Sequence, residues 1–260
     1  MIALLTDFGL EDSFVASMKA VIYSINPNVK IVDITHAVSP QNIKQAAFHL
    51  KVCYKYFPKE TIFVCVVDPG VGSNQEPILL KTDEYLFLAP NNGILSPIIQ
   101  NNSKYISFDL SENFKALDIS NTFHGRDVFA PAAANLSLDK NRYNLSKAMD
   151  STELVVFPKP FLKQNEGGCI KTEIQHIDHF GNLITSITLK EINNIQISSV
   201  TINFKDKKYK CFFSKCYSDA EEGELIAYIG STGFLEIAVR NGNAARKIGC
   251  KNNEIIEVGV

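Results

Sequence analysis

The chain has 260 residues, enough to bury a sizeable core as one large domain or two modest ones. It is 45% hydrophobic and 21% charged with a formal net charge of -2, so neither sign dominates and nothing favours a nucleic-acid or membrane-surface partner. No apolar run approaches the length that spans a bilayer, and MIALLTDFG lacks a basic n-region, so it reads as a first strand and not a signal peptide. The six cysteines include no CxxC pair, and no histidine neighbours Cys211 and Cys216 to complete a metal site. Reduced, buried thiols in a cytoplasmic protein are expected.

In chain order, IALLT is a short apolar strand ending at Asp7. A helix is expected from about Ser13 to Ile25, with Phe14, Met18, Val21, Ile22 and Ile25 facing the core. VKIVDIT resumes as a strand and delivers His36. SPQNIKQAAFHLKVCYKYF has the form of a helix with Ser39 as N-cap and Pro40 at the first helical position. TIFVCVV is a continuous apolar run suited to a strand buried on both faces, and it ends at Asp68. This alternation predicts an α/β domain with a mostly parallel sheet flanked by helices. PILLKTDEYLFLAP then reads as two strands around Thr82–Asp83, and RDVFAPAAANLSL as a close-packing helix rich in small residues. The boundary is expected in Phe157 to Gly168, which holds two prolines and two glycines. Beyond it, short strands and turns predict an all-β barrel or sandwich of about 90 residues. The run KDKKYK reads as a solvated edge strand or hairpin. The resulting division is residues 1–157 as the α/β domain, 158–168 as linker and 169–260 as the β domain.

Ligands of open α/β sheets sit outside the carboxyl ends of the strands, where loops carry polar side chains over a rigid edge. Asp7 and Asp68 both follow strands, and Gly70 and Gly72 after Asp68 let a backbone pass close to a ligand. His124 stands at the entry to the small-residue helix, near positive backbone dipoles that favour the neutral imidazole. Arg126 and Asp127 are read as bracing that turn. In the β domain, Asp178, Phe180 and Asn182 occupy a turn that is also good hairpin chemistry, but an exposed Phe180 ring needs a surface or ligand to stack on. These features alone describe a two-domain binder of a small polar aromatic ligand, with Asp68 and His124 as acid–base candidates.

The motifs TDFGLEDSF, VVDPGVG, APNNGIL, TFHGRDVFAPAAA, IDHFGN and GSTGFLEIAV, in this order from Met1 to near the C-terminus, resemble the S-adenosyl-L-methionine (SAM) hydrolases that form adenosine. These are also called SAM hydroxide adenosyltransferases, relatives of the bacterial fluorinase and chlorinase. The resemblance implies an α/β domain, a smaller β-barrel, and a homotrimer whose active sites lie between one subunit's N-terminal domain and its neighbour's C-terminal domain. By resemblance, Asp7 holds the ribose hydroxyls with Ser13 nearby, and Asp178 takes the amino group of the methionine part. Phe180 and Tyr217 match aromatic positions around adenine, Asn182 the amide at its edge, and Ser231 a contact to the methionine carboxylate. Asp68 and His124 match two of three polar residues around the attacking water. No metal or organic cofactor is implied.

Water or halide separates the branches of this family. The resembling halogenases carry a tyrosine at the Asp68 position, since a carboxylate would repel an incoming anion. Two like charges about 4 Å apart cost about 4 kcal/mol at an effective dielectric of 20. The departure is Gln75, where the resembling hydrolases usually have arginine: glutamine can hydrogen-bond Asp68 but brings no positive charge. A working SAM hydrolase using Asp68, His124 and Gln75 is the favoured expectation. The alternatives are a catalytically weak or silent binder of SAM or adenosine, motivated by Gln75, and a SAM-dependent halogenase.

Overall fold

Apolar strands without polar interruption need cover on both faces, and the first half of the chain supplies it. The computed structural model describes residues 1–115, 118–144, 146–165, 168–192 and 198–259. The chain divides into two compact units, Met1–Phe157 and Pro158–Val260.

The first unit begins with β1 (Ile2–Thr6), α1 (Phe14–Ile25), β2 (Ile31–Thr35), α2 (Ile43–Cys53) and β3 (Ile62–Val66). It continues with β4 (Pro77–Thr82), β5 (Leu86–Pro90), α3 (Ser96–Asn101), β6 (Tyr105–Asp109), α4 (Ser111–Phe114), α5 (Ala130–Leu138) and β7 (Lys147–Met149). Seven strands form one sheet in the order β2-β1-β3-β5-β4-β6-β7. Pairing is parallel for β1 with β2 and β3 and for β3 with β5. It is antiparallel from β5 through β4 and β6 to β7. The sheet is therefore mixed, which corrects the expectation of a mostly parallel one. The turn after Thr82 is too short for a crossover, so it returns β5 antiparallel beside β4.

Alternate side chains of the central strands feed two cores. Ile2, Leu4, Ile62 and Val64 pack with Met18 and Ile22 of α1 and Ala133 of α5, whereas Ala3, Leu5, Phe63 and Cys65 pack with Ala46 and Leu50 of α2. β3 is buried along its whole length. At about 1.5–3 kcal/mol for each fully buried large apolar side chain, these layers give the polar loops a rigid floor.

Two helix details differ from the sequence pattern. Phe14, expected in the core, is 42% exposed and packs on Phe8 and Phe123, while Val15 takes the buried place. Asn42, not Ser39, caps α2: its Oδ1 accepts from Gln45 N at 3.0 Å. Gln41 has φ 64, and a left-handed residue cannot continue a right-handed helix, so α2 starts beyond it. Ser39 instead donates its N–H to Gln45 Oε1 at 2.8 Å.

The second unit holds β8 (Leu162–Gln164), β9 (Ile170–Ile177), β10 (Leu183–Thr188), α6 (Leu189–Ile192), β11 (Ser199–Phe204) and β12 (Lys207–Phe213). β13 (Leu225–Ile229), β14 (Phe234–Val239), α7 (Ala244–Ile248) and β15 (Ile255–Gly259) complete it. The order β10-β14-β13-β12-β11-β15-β9-β8, with a further β10–β9 pairing, closes seven strands into a barrel and leaves β8 as an added edge. β8 lies inside the stretch read as linker, where Leu162 to Gln164 pair with Thr172 to Ile170; residues 166 and 167 of that stretch fall outside the described residues. The KDKKYK run turns a hairpin at Lys205 and Asp206, with φ 47 and 62. Cys65, Cys211 and Cys250 are buried and Cys53 and Cys169 partly so, but Cys216 is exposed, so the expectation of buried thiols holds for only part of the set. Among the described residues, no helix is long and apolar enough to cross a membrane.

Candidate functional site

The strand order β2-β1-β3 means that the chain leaves β1 toward one side and reaches β3 on the other. Such a reversal opens a crevice at the carboxyl ends of the two strands. Thr6 is in register with Val66, so Asp7 and Asp68 come off neighbouring strands at one edge. Asp7 Oδ2 accepts from Gln41 N at 2.8 Å. Gly9, with φ 68, turns the chain away and donates its N–H to His36 O at 2.8 Å. His36, also delivered by a strand end, is buried: its Nδ1 lies 2.8 Å from Thr6 Oγ1 and its Nε2 3.2 Å from Asp33 Oδ1. It belongs to the support of the edge. Ser13 stands exposed just before α1, and its side chain makes no capping bond.

Asp68 is held on one side only. Gln75 Nε2 donates to Asp68 Oδ1 at 2.9 Å, and Gly70 N donates to the same oxygen at 3.2 Å. No donor among the described residues reaches Oδ2. Burial pushes the Asp68 carboxyl above the ordinary carboxylate range, and the charge of Asp7 acts in the same direction. The bonds from Gln75 and Gly70 and the proximity of His124 oppose that shift without cancelling it. A Cβ at Gly70 would stand 3.0 Å from Gln75 Oε1, so the small residue lets the Gln75 side chain lie close over the turn.

The loop carrying His124 is locked against both carboxylate loops. Gly72 has φ 79, and a Cβ there would collide with the Asn121 carbonyl oxygen. A Cβ at Gly125 would meet the Phe8 ring at 3.0 Å and the Phe123 ring at 3.2 Å. His124 immediately precedes a π-helical turn, Gly125–Phe129, that leads into α5. Insertions of this kind often mark places where a helix is bent to function. Arg126 and Asp127 brace the turn as read from the sequence: Nε to Oδ1 is 2.5 Å, and Ser120 N adds a bond to Oδ2 at 2.9 Å. The Arg126 guanidinium holds the Asp127 carboxyl below its usual range. Asp7, Asp68, Gln75 and His124 thus share one edge of the first unit.

In the second unit, Asp178 builds the turn between β9 and β10. Its Oδ1 accepts from Phe180 N and Asn182 N, each at 2.9 Å, and its Oδ2 accepts from Asn182 Nδ2 at 2.8 Å. That wrapping throws the Phe180 ring outward, 72% exposed. Phe180, Asn182 and Tyr217 line a cavity of about 570 Å3 together with Ser218, Val239 and Arg240. Its size suits a small organic ligand. Ser231 is exposed in the turn Gly230–Gly233 between β13 and β14.

Three residues of this region escaped sequence reasoning. Glu236 is buried, accepting from Tyr228 Oη at 3.0 Å and from Thr232 Oγ1 at 3.1 Å. Burial raises its carboxyl above the usual range against those two bonds. Tyr228 in turn meets the Tyr217 hydroxyl. Arg240 Nη1 donates to Ala220 O at 2.5 Å and Ser218 O at 3.3 Å, holding the segment that presents Tyr217. A glutamate inside the apolar run FLEIAV was the available signal, because a charge is rarely buried without partners. Among the described residues, no group of three or more His, Cys, Asp or Glu could hold a metal ion.

Comparison with known proteins agrees with this two-part arrangement. Residues 2–146 match the SAM hydroxide adenosyltransferase N-terminal domain, and residues 172–257 the C-terminal domain. The chain is 34% identical over 270 residues to the (R)-S-adenosyl-L-methionine hydrolase of Methanocaldococcus jannaschii, covering 99% of this chain and 95% of that protein. It is 30% identical over 259 residues to the enzyme of the same name from Salinispora tropica, covering 99% and 97%. A crystal structure of an uncharacterized conserved protein from Thermotoga maritima superposes with a TM-score of 0.91 at 35% identity, covering 100% of both chains. With its two halves matched in order and its relatives spanning nearly its full length, the chain belongs to the SAM hydroxide adenosyltransferase family.

Proposed function

We propose that the protein hydrolyses S-adenosyl-L-methionine to adenosine and L-methionine, with Asp68 as the base that takes a proton from the attacking water. The water oxygen forms a bond to C5′ while the C5′–S bond breaks, and its electron pair leaves with sulfur as the neutral thioether of methionine. The proton goes to Asp68, beside which His124 completes a carboxylate–imidazole pair. The leaving group needs no acid, and the reaction balances without a cofactor.

The observation that carries this reading is the one-sided hold on Asp68. Two donors occupy Oδ1, and Oδ2 is left to receive a proton. A carboxyl raised by burial is also a stronger base than an ordinary one, which suits proton abstraction. Asp7 and Ser13 at the same edge are assigned to the ribose. Asp178, Phe180, Asn182, Tyr217 and Ser231 are assigned to the adenine and methionine ends. The relatives named as hydrolases support water as the nucleophile. A homotrimer, in which the two units of different copies complete each site, is part of the same proposal and rests on the family resemblance.

The experiment is incubation with SAM followed by chromatography. Adenosine and methionine are expected in equal amounts, and Asp68→Ala is expected to lower kcat by about a hundredfold or more, the usual contribution of a positioned base. Intact SAM after prolonged incubation at enzyme excess, with SAM still bound, would instead give the silent-binder reading that Gln75 motivates.

A further inference from the structure

We propose that Glu236 and Tyr228 fix the hydrogen-bond polarity of the cavity lined by Phe180, Asn182 and Tyr217, and thereby make it select a 6-amino purine over a 6-oxo purine. The inference rests on the reading that this cavity takes the nucleobase, and it assigns two positioning residues that do not line the cavity.

The direction of each bond follows from donor counting. An ionised carboxylate only accepts, so Asn182 must turn its Nδ2 toward Asp178 Oδ2, at 2.8 Å. Its second N–H goes to Tyr217 Oη at 3.0 Å. With both hydrogens committed, Asn182 offers a ligand only Oδ1. Tyr217 Oη accepts a hydrogen bond from Asn182, and because the one hydroxyl hydrogen of Tyr228 goes to Glu236, Tyr217 is the donor where the two hydroxyls meet. Tyr228 Oη donates its hydrogen bond to Glu236 Oε2 at 3.0 Å, and Thr232 Oγ1 donates to Oε1 at 3.1 Å. The carboxylates of Asp178 and Glu236 therefore close the chain at its two ends, and every hydrogen between them is assigned.

The consequence at the cavity is a rim that accepts: Asn182 Oδ1 and the remaining lone pair of Tyr217 Oη. A 6-amino group can donate to such a rim, whereas a 6-oxo group meets lone pairs with lone pairs. Without the acceptor at Glu236, the Tyr228 hydroxyl is free to turn toward Tyr217, and the Tyr217 hydroxyl is released to donate into the cavity. That reversed rim suits a 6-oxo purine. The fold makes room for the device at Gly230, where a Cβ would collide with the Glu236 carboxylate.

The test is calorimetric titration of adenosine and inosine into the full chain and into Glu236→Leu, Glu236→Gln and Tyr228→Phe. The adenosine-to-inosine affinity ratio is expected to fall by about tenfold in Glu236→Leu and Tyr228→Phe, the effect of one hydrogen bond. Glu236→Gln is expected to keep the ratio, because its Oε1 can still accept from Tyr228 while its amide faces the Thr232 hydroxyl. Should Glu236→Leu fail to fold, Tyr228→Phe decides, since it removes one buried hydroxyl and keeps the ring. An unchanged ratio in the folded variants, or a wild type without preference for adenosine, overturns the relay. A wild type that binds neither nucleoside and leaves SAM intact overturns the nucleoside reading itself, and the relay with it.

Discussion

At the scale of single residues, the question is how Asp68 works beside a glutamine. Gln75 supplies a hydrogen bond but no charge, so burial and Asp7 outweigh the groups that favour ionisation and the carboxyl stays raised. A guanidinium in its place would favour the ionised form and bring the Asp68 carboxyl down. A raised base is protonated early as pH falls, so wild-type activity is lost at a higher pH than in a variant with a lowered one. Gln75→Arg is therefore expected to move the acidic limb of the kcat/KM profile to lower pH. A limb that stays in place or moves upward would mean that Asp68 is not the group being titrated. The places of Asp68 and His124, after a strand and at a helix entry, were legible in the sequence because such points mark themselves with Pro, Gly and small residues. Glu236 left a signal as a charge inside the apolar run FLEIAV, but only the fold reveals the hydroxyls that meet it.

At the scale of elements, the site depends on loops that touch through glycines. Gly72 combines φ 79 with a contact that a Cβ would turn into a collision with the Asn121 carbonyl. Gly72→Ala is expected to push the Asp68 loop and the His124 loop apart and to lower kcat by about tenfold to a hundredfold, with a smaller change in KM. Parallel kinetics and thermal melts check this: an active variant with wild-type kcat would show that the two loops need not interlock. β1 to β5 were readable from their apolar runs, and α1 and α2 from their spacing, whereas β6 and β7 were not read and β8 lies in the stretch taken as linker. The start of α2 was misread because Ser39-Pro40 is a good cap pair in isolation. The left-handed Gln41 beyond it, which forces Asn42 into that role, has no signature in the local sequence.

At the scale of the whole molecule, the assignments fall into two sets, with Asp7, Asp68, Gln75 and His124 in the first unit and Asp178, Asn182 and Tyr217 in the second. If copies of the chain share sites as proposed, two inactive variants can rescue each other. Mixed trimers formed by co-expressing Asp68→Asn with Asp178→Asn are expected to regain roughly a quarter of wild-type activity, the fraction of sites that draw both intact halves from a random mixture. No recovery, with mixed trimers demonstrated by mass, would exclude shared sites. The sequence by itself determined the two-part organisation, the β-rich second half and the family, because apolar period, turn residues and ordered motifs are local properties. Only the tertiary structure decided that the sheet is mixed, that Asp7 and Asp68 share one edge, and that Gln75 and Gly70 hold a single oxygen of Asp68. Those facts depend on strand order and on contacts between segments distant in the chain, and no local pattern encodes either.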